Sequence, residues 1–322
     1  SQTDGAADGR GTIIAVLDTG CDLTAAGLLT TSTGLPKYVD FLDCTGGGDV
    51  DTSKVAARDE AGTIIGLSGR KLQLHPAAKD HKEFRVGAVR LYSLLPLSVL
   101  KRVKRERKEA FAAHQHAAVT ATRRKLDGVA AGSPAKKDAE VVLEQLKDLN
   151  DGYADAGPLL DVVVWRDRSG TWTVLVDVRA EPDGDLSRST PMHPYRVAQQ
   201  AGDLGFGTAL SFCVQVYAEG DLVSIVTDSG SHGTHVAGIA AAHFAEAPER
   251  NGVAPGAQIL ACKIGDGRLY SSETGTGLVR ALIAAKAAGC QLANLSFGEP
   301  FYEPEGGRVH AAFSDAVRKW GM

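Results

Sequence analysis

The sequence lacks the features that would tie it to a membrane, a nucleic acid or an oxidising compartment. No apolar run is long enough to cross a bilayer, and no apolar segment near residue 1 resembles a secretion signal. Lysine and arginine (35) nearly balance aspartate and glutamate (39), so the net charge of -4 creates no general attraction for nucleic acid or anionic lipid. Cysteine is scarce, with five residues and no Cys-x-x-Cys pair. These absences predict a cytoplasmic protein with reduced thiols.

The few cysteines and histidines do not form a metal-binding pattern. The cysteines are odd in number and widely spaced, and we interpret most of them as packing residues: Cys21, Cys44, Cys213, Cys262 and Cys290. Cys21 follows an acid by three residues, so a reactive thiol stays open beside the favoured packing role. His114, His116 and His193 lack ligand-like spacing with carboxylates or thiols. We therefore assign no metal and expect no cofactor.

A histidine-glycine segment is present, DSGSHGTHVAGIA at residues 228–240. Apolar residues recur there at helical spacing, and Ser231 has the short polar side chain that is typical of a helix N-cap. His232 then lies in the first turn, where the positive end of the helix dipole keeps an imidazole neutral, as a general base requires. Gly233 and Gly238 each cost a helix about 1 kcal/mol relative to alanine, which indicates a close approach by a strand or a substrate. A satisfied core histidine is the alternative.

A second segment, TIIAVLDTG at residues 12–20, predicts a buried strand that ends in a carboxylate. Its β-branched apolar run is typical of a strand covered on both faces of a parallel sheet. Asp18 would then lie at the carboxyl edge of that sheet, where α/β folds place their active sites.

Together the two segments resemble the subtilisin-like serine peptidases, whose triad follows the chain order Asp, His, Ser. The run GVAPGA at residues 252–257 is also similar to that family. The resemblance implies an α/β fold with a parallel sheet flanked by helices. It further implies that Asp18 orients and charge-balances His232, the general base, while His235 is a structural neighbour.

The spacing between the acid and the base predicts a large insertion. Asp18 and His232 lie 214 positions apart, whereas subtilisin has a gap of roughly thirty. We therefore predict three segments. They are the first part of the subtilisin-like domain at 1–45, an inserted α+β domain at 46–224, and the continued domain at 225–322.

The predicted insertion contains two helices, at 98–126 and 136–149, and two strand pairs, within 161–180 and 209–226. Basic residues crowd the start of the first helix, at Lys101, Arg102, Lys104, Arg105, Arg107 and Lys108. They indicate a solvated face or an anionic partner, and the lack of interleaved aromatic residues favours the solvated face over nucleic-acid binding. The expected work of the insertion is docking or assembly.

Beyond residue 250 the pattern alternates strand, helix and strand, at 258–264, 276–288 and 291–295. The run NLSFG at 294–298 is similar to the family's edge segment, which pairs with extended substrate. Ser296, Phe297 and Gly298 are therefore candidate substrate-binding residues. An ordinary strand end is the alternative.

Two acids refine the resemblance to the tripeptidyl-peptidases of this family. Glu273 and Glu299 match positions at which those enzymes carry the carboxylates that hold a substrate's free amino terminus. Such charge-assisted hydrogen bonds contribute about 1.5 to 3 kcal/mol each. A block about 10 Å from the scissile bond admits three residues at roughly 3.3 Å each. Without the resemblance, Glu273 would be a first-turn acid that complements a helix dipole, and Glu299 a loop charge.

The resemblance also implies peptide substrates with a free N-terminus and assembly into a large homo-oligomer. Subtilisin's spacing would place the oxyanion-hole Asn near position ~323 and the serine near position ~390. Ser296 belongs to the substrate-pairing segment, and Ser314 lies in a helix predicted at 308–320. We therefore predict a fragment of a serine exopeptidase that releases tripeptides through an Asp-His-Ser triad, lacks the serine, and is inactive alone.

Two alternatives remain open at this point. DTG at 18–20 and DSG at 228–230 are also the half-signatures of a pepsin-like aspartic peptidase, although such enzymes are predominantly β. The chain could instead be a non-catalytic assembly or anion-binding module built around the basic helix.

Overall fold

The computed structural model describes residues 8–130, 132–298 and 306–322. The strands in that part of the chain are β1 (Ile13–Asp18), β2 (Tyr38–Asp43), β3 (Asp49–Asp51), β4 (Lys54–Ala57), β5 (Thr63–Ile65), β6 (Lys71–Gln73), β7 (Glu83–Arg90), β8 (Leu159–Arg166), β9 (Trp172–Val176), β10 (Gly202–Asp203), β11 (Ser211–Tyr217), β12 (Leu222–Val226), β13 (Gln258–Lys263) and β14 (Leu292–Leu295). The α-helices are α1 (Leu97–Leu126), α2 (Pro134–Asp151), α3 (Tyr195–Ala198), α4 (His232–Ala241), α5 (Gly275–Ala287) and α6 (Gly307–Arg318).

The central sheet is parallel, with the strand order β14, β1, β13, β2. Alternate residues of β1 point to opposite faces. Ile14 and Val16 pack with Ala237 of α4 on one face. Ala15 and Leu17 belong to the cluster that α5 and α6 form on the other face. Because helices cover both faces, β1 is apolar up to its last residue, and the predicted parallel α/β fold flanked by helices is confirmed.

Three further sheets are antiparallel: β10-β11-β12-β3, β4-β7-β8-β9 and β5-β6. Both strand pairs predicted from the sequence are present, as β8–β9 and β11–β12. The sequence did not predict β3 to β6, since each spans only three or four residues. Alternation cannot be recognised over so short a run.

Local caps set the helix boundaries that the sequence missed by one or two residues. The Ser133 hydroxyl accepts a hydrogen bond from the Lys136 N–H, so α2 begins at Pro134 rather than at Lys136. The Thr274 hydroxyl likewise accepts from the Gly277 N–H, and α5 begins at Gly275. Capping therefore explains both early starts.

The chain divides into two compact units, one of Ser98–Gly157 and one of Ser1–Leu97 with Pro158–Met322. In the smaller unit, the Phe111 and Tyr153 rings lie 4.4 Å apart, and Arg107 Nε donates to Asp155 Oδ2 at 2.8 Å. The smaller unit spans fewer residues than the predicted insertion at 46–224. The extent of that insertion as a domain stays a prediction.

The basic run of α1 is largely exposed to solvent. Two of its arginines form pairs one turn apart, since Arg102 lies 3.3 Å from Glu106 and Arg105 lies 3.8 Å from Glu109. Exposed pairs of this kind contribute only about 0.3 to 0.5 kcal/mol each. An anion-binding role for α1 stays a prediction.

Candidate active site

The predicted acid and base meet at the carboxyl edge of the central sheet. Asp18 is fully buried as the last residue of β1, and His232 is the first residue of α4. His232 Nδ1 lies 2.8 Å from Asp18 Oδ1, which also accepts the Thr19 N–H at 2.7 Å. The imidazole side chain is 52% exposed, so one edge of the ring is bonded to a buried carboxylate while the other is open to a reactant.

A glycine and a hydroxyl bring the strand end and the helix start together. A Cβ on Gly233 would lie 2.1 Å from the Gly20 carbonyl oxygen, so only glycine allows this approach. The Gly233 N–H donates to Thr19 Oγ1 at 2.9 Å, and the Thr19 hydroxyl donates to the Gly230 carbonyl at 2.8 Å. Thr19 therefore fastens the turn after Asp18 to the turn before His232.

The predicted side-chain cap by Ser231 is wrong. Ser231 precedes α4, but its own backbone is helical (φ -77°, ψ -8°) and its side chain makes no capping hydrogen bond. The Thr19 hydroxyl accepts the bond from the first turn instead. Sequence spacing could not show this, because the capping group comes from a residue more than two hundred positions away.

Burial and ion pairs determine the ionisation of the side chains around the site. Burial raises the pKa of Asp228 to about 6, although the Lys263 ammonium opposes that shift. Lys263 lies beside Asp18 in the strand register and pairs with Asp43 Oδ2 at 3.4 Å. Burial also raises the pKa of the Cys21 thiol to about 12. Cys21 is thus a packing residue at neutral pH rather than a reactive thiolate.

The DTG and DSG turns touch each other, but not as a pair of catalytic acids. The Ser229 N–H donates to the Thr19 carbonyl at 2.7 Å, and the Ser229 hydroxyl donates to the same oxygen at 3.2 Å. Asp18 nevertheless bonds to His232, and the strand that carries it lies in a parallel sheet between helices. This architecture contradicts the pepsin-like alternative, which requires a predominantly β fold.

The predicted substrate-pairing segment lies next to the histidine. The Phe297 ring is 6.2 Å from the His232 ring at an interplanar angle of 87°. Ser296 Oγ donates to Asn294 Oδ1 at 3.0 Å, and Gly298 follows at the end of the segment. The segment follows directly after β14, an edge strand of the central sheet. Glu299, the second predicted amino-terminus ligand, lies outside the described residues.

Glu273 lies in the connection between β13 and α5, where it is half-buried. It precedes Thr274, the residue before the helix start at Gly275, so it is not in the first turn of α5. The nearby Ser271 hydroxyl donates to the Ser229 carbonyl at 3.0 Å. The segment that carries Glu273 is thereby attached to the turn that precedes His232.

The described residues contain neither a metal-binding cluster nor a membrane-spanning helix. No group of three or more His, Cys, Asp or Glu side chains there is arranged to hold a metal ion. No helix in the same ranges has the length and apolar character needed to span a membrane.

Nearly the whole chain matches one protein family. The family model described as the subtilase family, peptidase S8, matches residues 9–320. The chain belongs to the subtilase family. The resemblance seen in the sequence is thereby confirmed.

Within the subtilase family, the chain is similar to one group of enzymes in particular. The chain is 44% identical to tripeptidyl-peptidase 2 of Oryza sativa, over 97% of this chain and 24% of that protein. It is 37% identical to tripeptidyl-peptidase 2 of Caenorhabditis elegans, over 94% of this chain and 22% of the relative. A crystal structure of tripeptidyl peptidase 2 superposes with a TM-score of 0.72 and 29% identity, covering 98% of this chain and 26% of that one. The chain thus spans about a quarter of the length of these relatives.

Proposed function

We propose that this chain supplies the acid, the base and part of the substrate site of a serine exopeptidase that releases tripeptides from free peptide N-termini. The 2.8 Å bond between His232 Nδ1 and the buried Asp18 carries the proposal. A ring that donates from Nδ1 leaves Nε2 free to accept the proton of a serine hydroxyl. The buried carboxylate then stabilises the imidazolium that forms.

Neither of the two serines considered from the sequence, Ser296 and Ser314, has the geometry of a nucleophile. Ser296 Oγ donates to Asn294, and Ser314 Oγ lies 3.4 Å from His310 of its own helix. In this proposal the nucleophile is a serine outside these 322 residues, and the chain alone is inactive.

Glu273 supports the exopeptidase part of the proposal. A carboxylate near the start of an extended substrate favours an α-ammonium over a continuing peptide, because only the ammonium can donate charge-assisted hydrogen bonds. Ser296, Phe297 and Gly298 would pair with the substrate backbone, and Glu299 would add a second carboxylate. The full-length protein would form a large homo-oligomer, as the family resemblance implies, and the scarce, unpaired cysteines favour the cytoplasm.

The experiment compares variants of the full-length protein on a chromogenic tripeptide amide with a free amino terminus. Asp18→Asn and His232→Ala should each lower kcat by about 10³-fold or more, because the base loses its tautomer or is removed. His235→Ala is the matched control, since His235 is an exposed histidine one turn along the same helix. It should retain the wild-type rate.

The exopeptidase part is measured separately with the N-acetylated tripeptide amide. Acetylation removes the ammonium, so kcat/KM should fall by about tenfold or more. Full activity of His232→Ala would contradict the triad. Equal cleavage of both substrates would contradict the exopeptidase part, and tripeptide release by the 322 residues alone would contradict the need for an outside serine.

A further inference from the structure

The loop at residues 266–273, which we call the 266–273 loop, connects the end of β13 to the start of α5 and carries Glu273 as its last residue. An antiparallel bridge joins Asp266 to Ser272, with the Asp266 N–H donating to the Ser272 carbonyl at 3.0 Å. The Ser271 N–H closes the loop by donating to the Asp266 carbonyl at 2.8 Å. Glu273 therefore follows directly after a closed backbone ring.

The side chain of Asp266 is the anchor of this ring. It is 4% exposed, and its two oxygens accept from the Arg268 backbone N–H at 2.8 Å, Nε at 2.9 Å and Nη2 at 2.6 Å. Arg268 Nη2 also donates to the Thr45 carbonyl at 3.2 Å. The guanidinium thus ties the 266–273 loop to the segment after β2. Hydrogen bonds from Arg268 lower the pKa of Asp266, which keeps the carboxylate ionised at neutral pH.

The backbone at the tip of the loop is strained, and the Asp266–Arg268 hydrogen bonds stabilise it in this conformation. Tyr270 and Ser271 adopt consecutive left-handed conformations, with φ of 57° and 65°. Residues other than glycine rarely adopt this region, and each costs of order 1–3 kcal/mol when it does. The strained pair places Ser271 Oγ 3.0 Å from the Ser229 carbonyl, on the turn that precedes His232. Without the anchor, the loop would relax away from that turn.

We propose that Asp266 and Arg268 are positioning residues that hold Glu273 where it binds the free amino terminus of the substrate. This inference rests on the proposed function. Asp266 and Arg268 act through the 266–273 loop and make no contact with the substrate themselves. They set the affinity for the amino terminus, and the chemistry at His232 does not depend on them.

The test measures KM and kcat of the full-length protein on the free and N-acetylated tripeptide amides. Arg268→Met keeps the aliphatic stem and the backbone N–H but removes every side-chain donor, so it should raise KM for the free-amine substrate about tenfold and leave kcat within about twofold. The acetylated substrate should show no change, because Glu273 has no ammonium to bind. Arg268→Lys should restore part of the affinity, since an ammonium replaces one bond of the fork but not both.

The chain offers a matched control for Arg268→Met. Asp8 and Arg10 form the same Asp-x-Arg arrangement, in which Asp8 accepts from the Arg10 N–H at 3.1 Å and from Nε at 3.0 Å. Asp8 bonds to Ser32 and precedes the amino end of β1, whereas Asp18 is the last residue at the carboxyl end of that strand. Arg10→Met should therefore leave both substrates unaffected.

The outcomes separate this proposal from the proposed function. If Glu273→Gln raises KM for the free-amine substrate but Arg268→Met does not, the positioning role is overturned and the exopeptidase remains. An equal loss on both substrates would also overturn it, because it would show a general loss of folding. If neither acetylation nor Glu273→Gln changes KM, the proposed function itself fails. Asp266→Asn replaces Arg268→Met should the latter not accumulate, and the same KM pattern applies.

Discussion

Single carboxylates at this site differ through burial and neighbours, although they look alike in the sequence. Asp18 and Asp228 are each followed by a small hydroxyl residue and a glycine. Asp18 accepts hydrogen bonds from His232 and from the Thr19 N–H. Asp228 is mainly affected by burial, which raises its pKa to about 6. The ionised form of Asp228 is therefore disfavoured in the native state.

The raised pKa of Asp228 gives a pH-dependent prediction. Between about pH 4 and pH 6 the native state holds a proton that the unfolded chain has lost, so wild-type stability falls as pH rises through that window. Asp228→Asn removes this penalty while keeping the size of the side chain. The variant should gain about 1–2 kcal/mol in the free energy of unfolding above pH 6, and nothing at pH 4. Urea titrations at pH 4, 5, 6 and 7.5 measure the difference.

Asp59 is the control of opposite sign. Hydrogen bonds from Thr63 lower the pKa of Asp59 to about 2. Its contribution is present above the unfolded pKa and is lost as pH falls, so Asp59→Asn should lose stability at neutral pH and not gain it. A pH-independent effect of Asp228→Asn would contradict the burial argument.

At the scale of elements, the approach of α4 to β1 determines the site. The sequence predicted that both glycines of α4 allow a close approach. The structure shows this for Gly233, whose Cβ would meet the Gly20 carbonyl at 2.1 Å and Asp18 Cβ at 3.1 Å. A Cβ on Gly238 would meet nothing within 4 Å. The two glycines of one helix therefore have different roles.

Alanine substitutions in α4 should have opposite effects. Gly233→Ala forces the helix away from β1 and should lower the free energy of unfolding by about 1–3 kcal/mol. It should also lower kcat of the full-length protein, because the Asp18–His232 bond lengthens. Gly238→Ala should raise stability by up to about 1 kcal/mol through helix propensity alone. Urea unfolding and steady-state kinetics on the same preparations measure both effects; equal effects of the two substitutions would be the contrary result.

The whole molecule consists of a peptidase-like unit and a helical unit with separate internal packing. The larger unit contains the central sheet and all three antiparallel sheets. Its chain is interrupted between Leu97 and Pro158, and the Leu91 N–H donates to the Pro158 carbonyl at 2.9 Å. The two sides of the interruption are therefore already joined within the larger unit.

Replacing Ser98–Gly157 by a short Gly-Ser linker should leave the larger unit folded. A shorter connection lowers the entropic cost of closing the chain by about 0.6 kcal/mol for each halving of its length, so the free energy of unfolding should rise by about 1–2 kcal/mol. Thermal melts followed by circular dichroism test this on the 322-residue chain, with the unaltered chain as the reference. Loss of the cooperative transition would show that the smaller unit is required for folding.

The sequence by itself determined the elements and the chemical groups. Apolar periodicity predicted β1, α4, α5 and the β8–β9 pair, because such patterns depend on neighbours within one segment. The Asp18–His232 pairing was predicted only through the family resemblance, since no local pattern relates residues 214 positions apart.

Only the tertiary structure decided which groups complete the site. Thr19 replaces Ser231 as the cap of α4, and Arg268 ties the loop that carries Glu273 to the Thr45 carbonyl after β2. These roles depend on which chain segments cross at the carboxyl edge of the sheet. The topology of the fold determines which segments meet there. The sequence around either residue of such a hydrogen bond does not specify its partner.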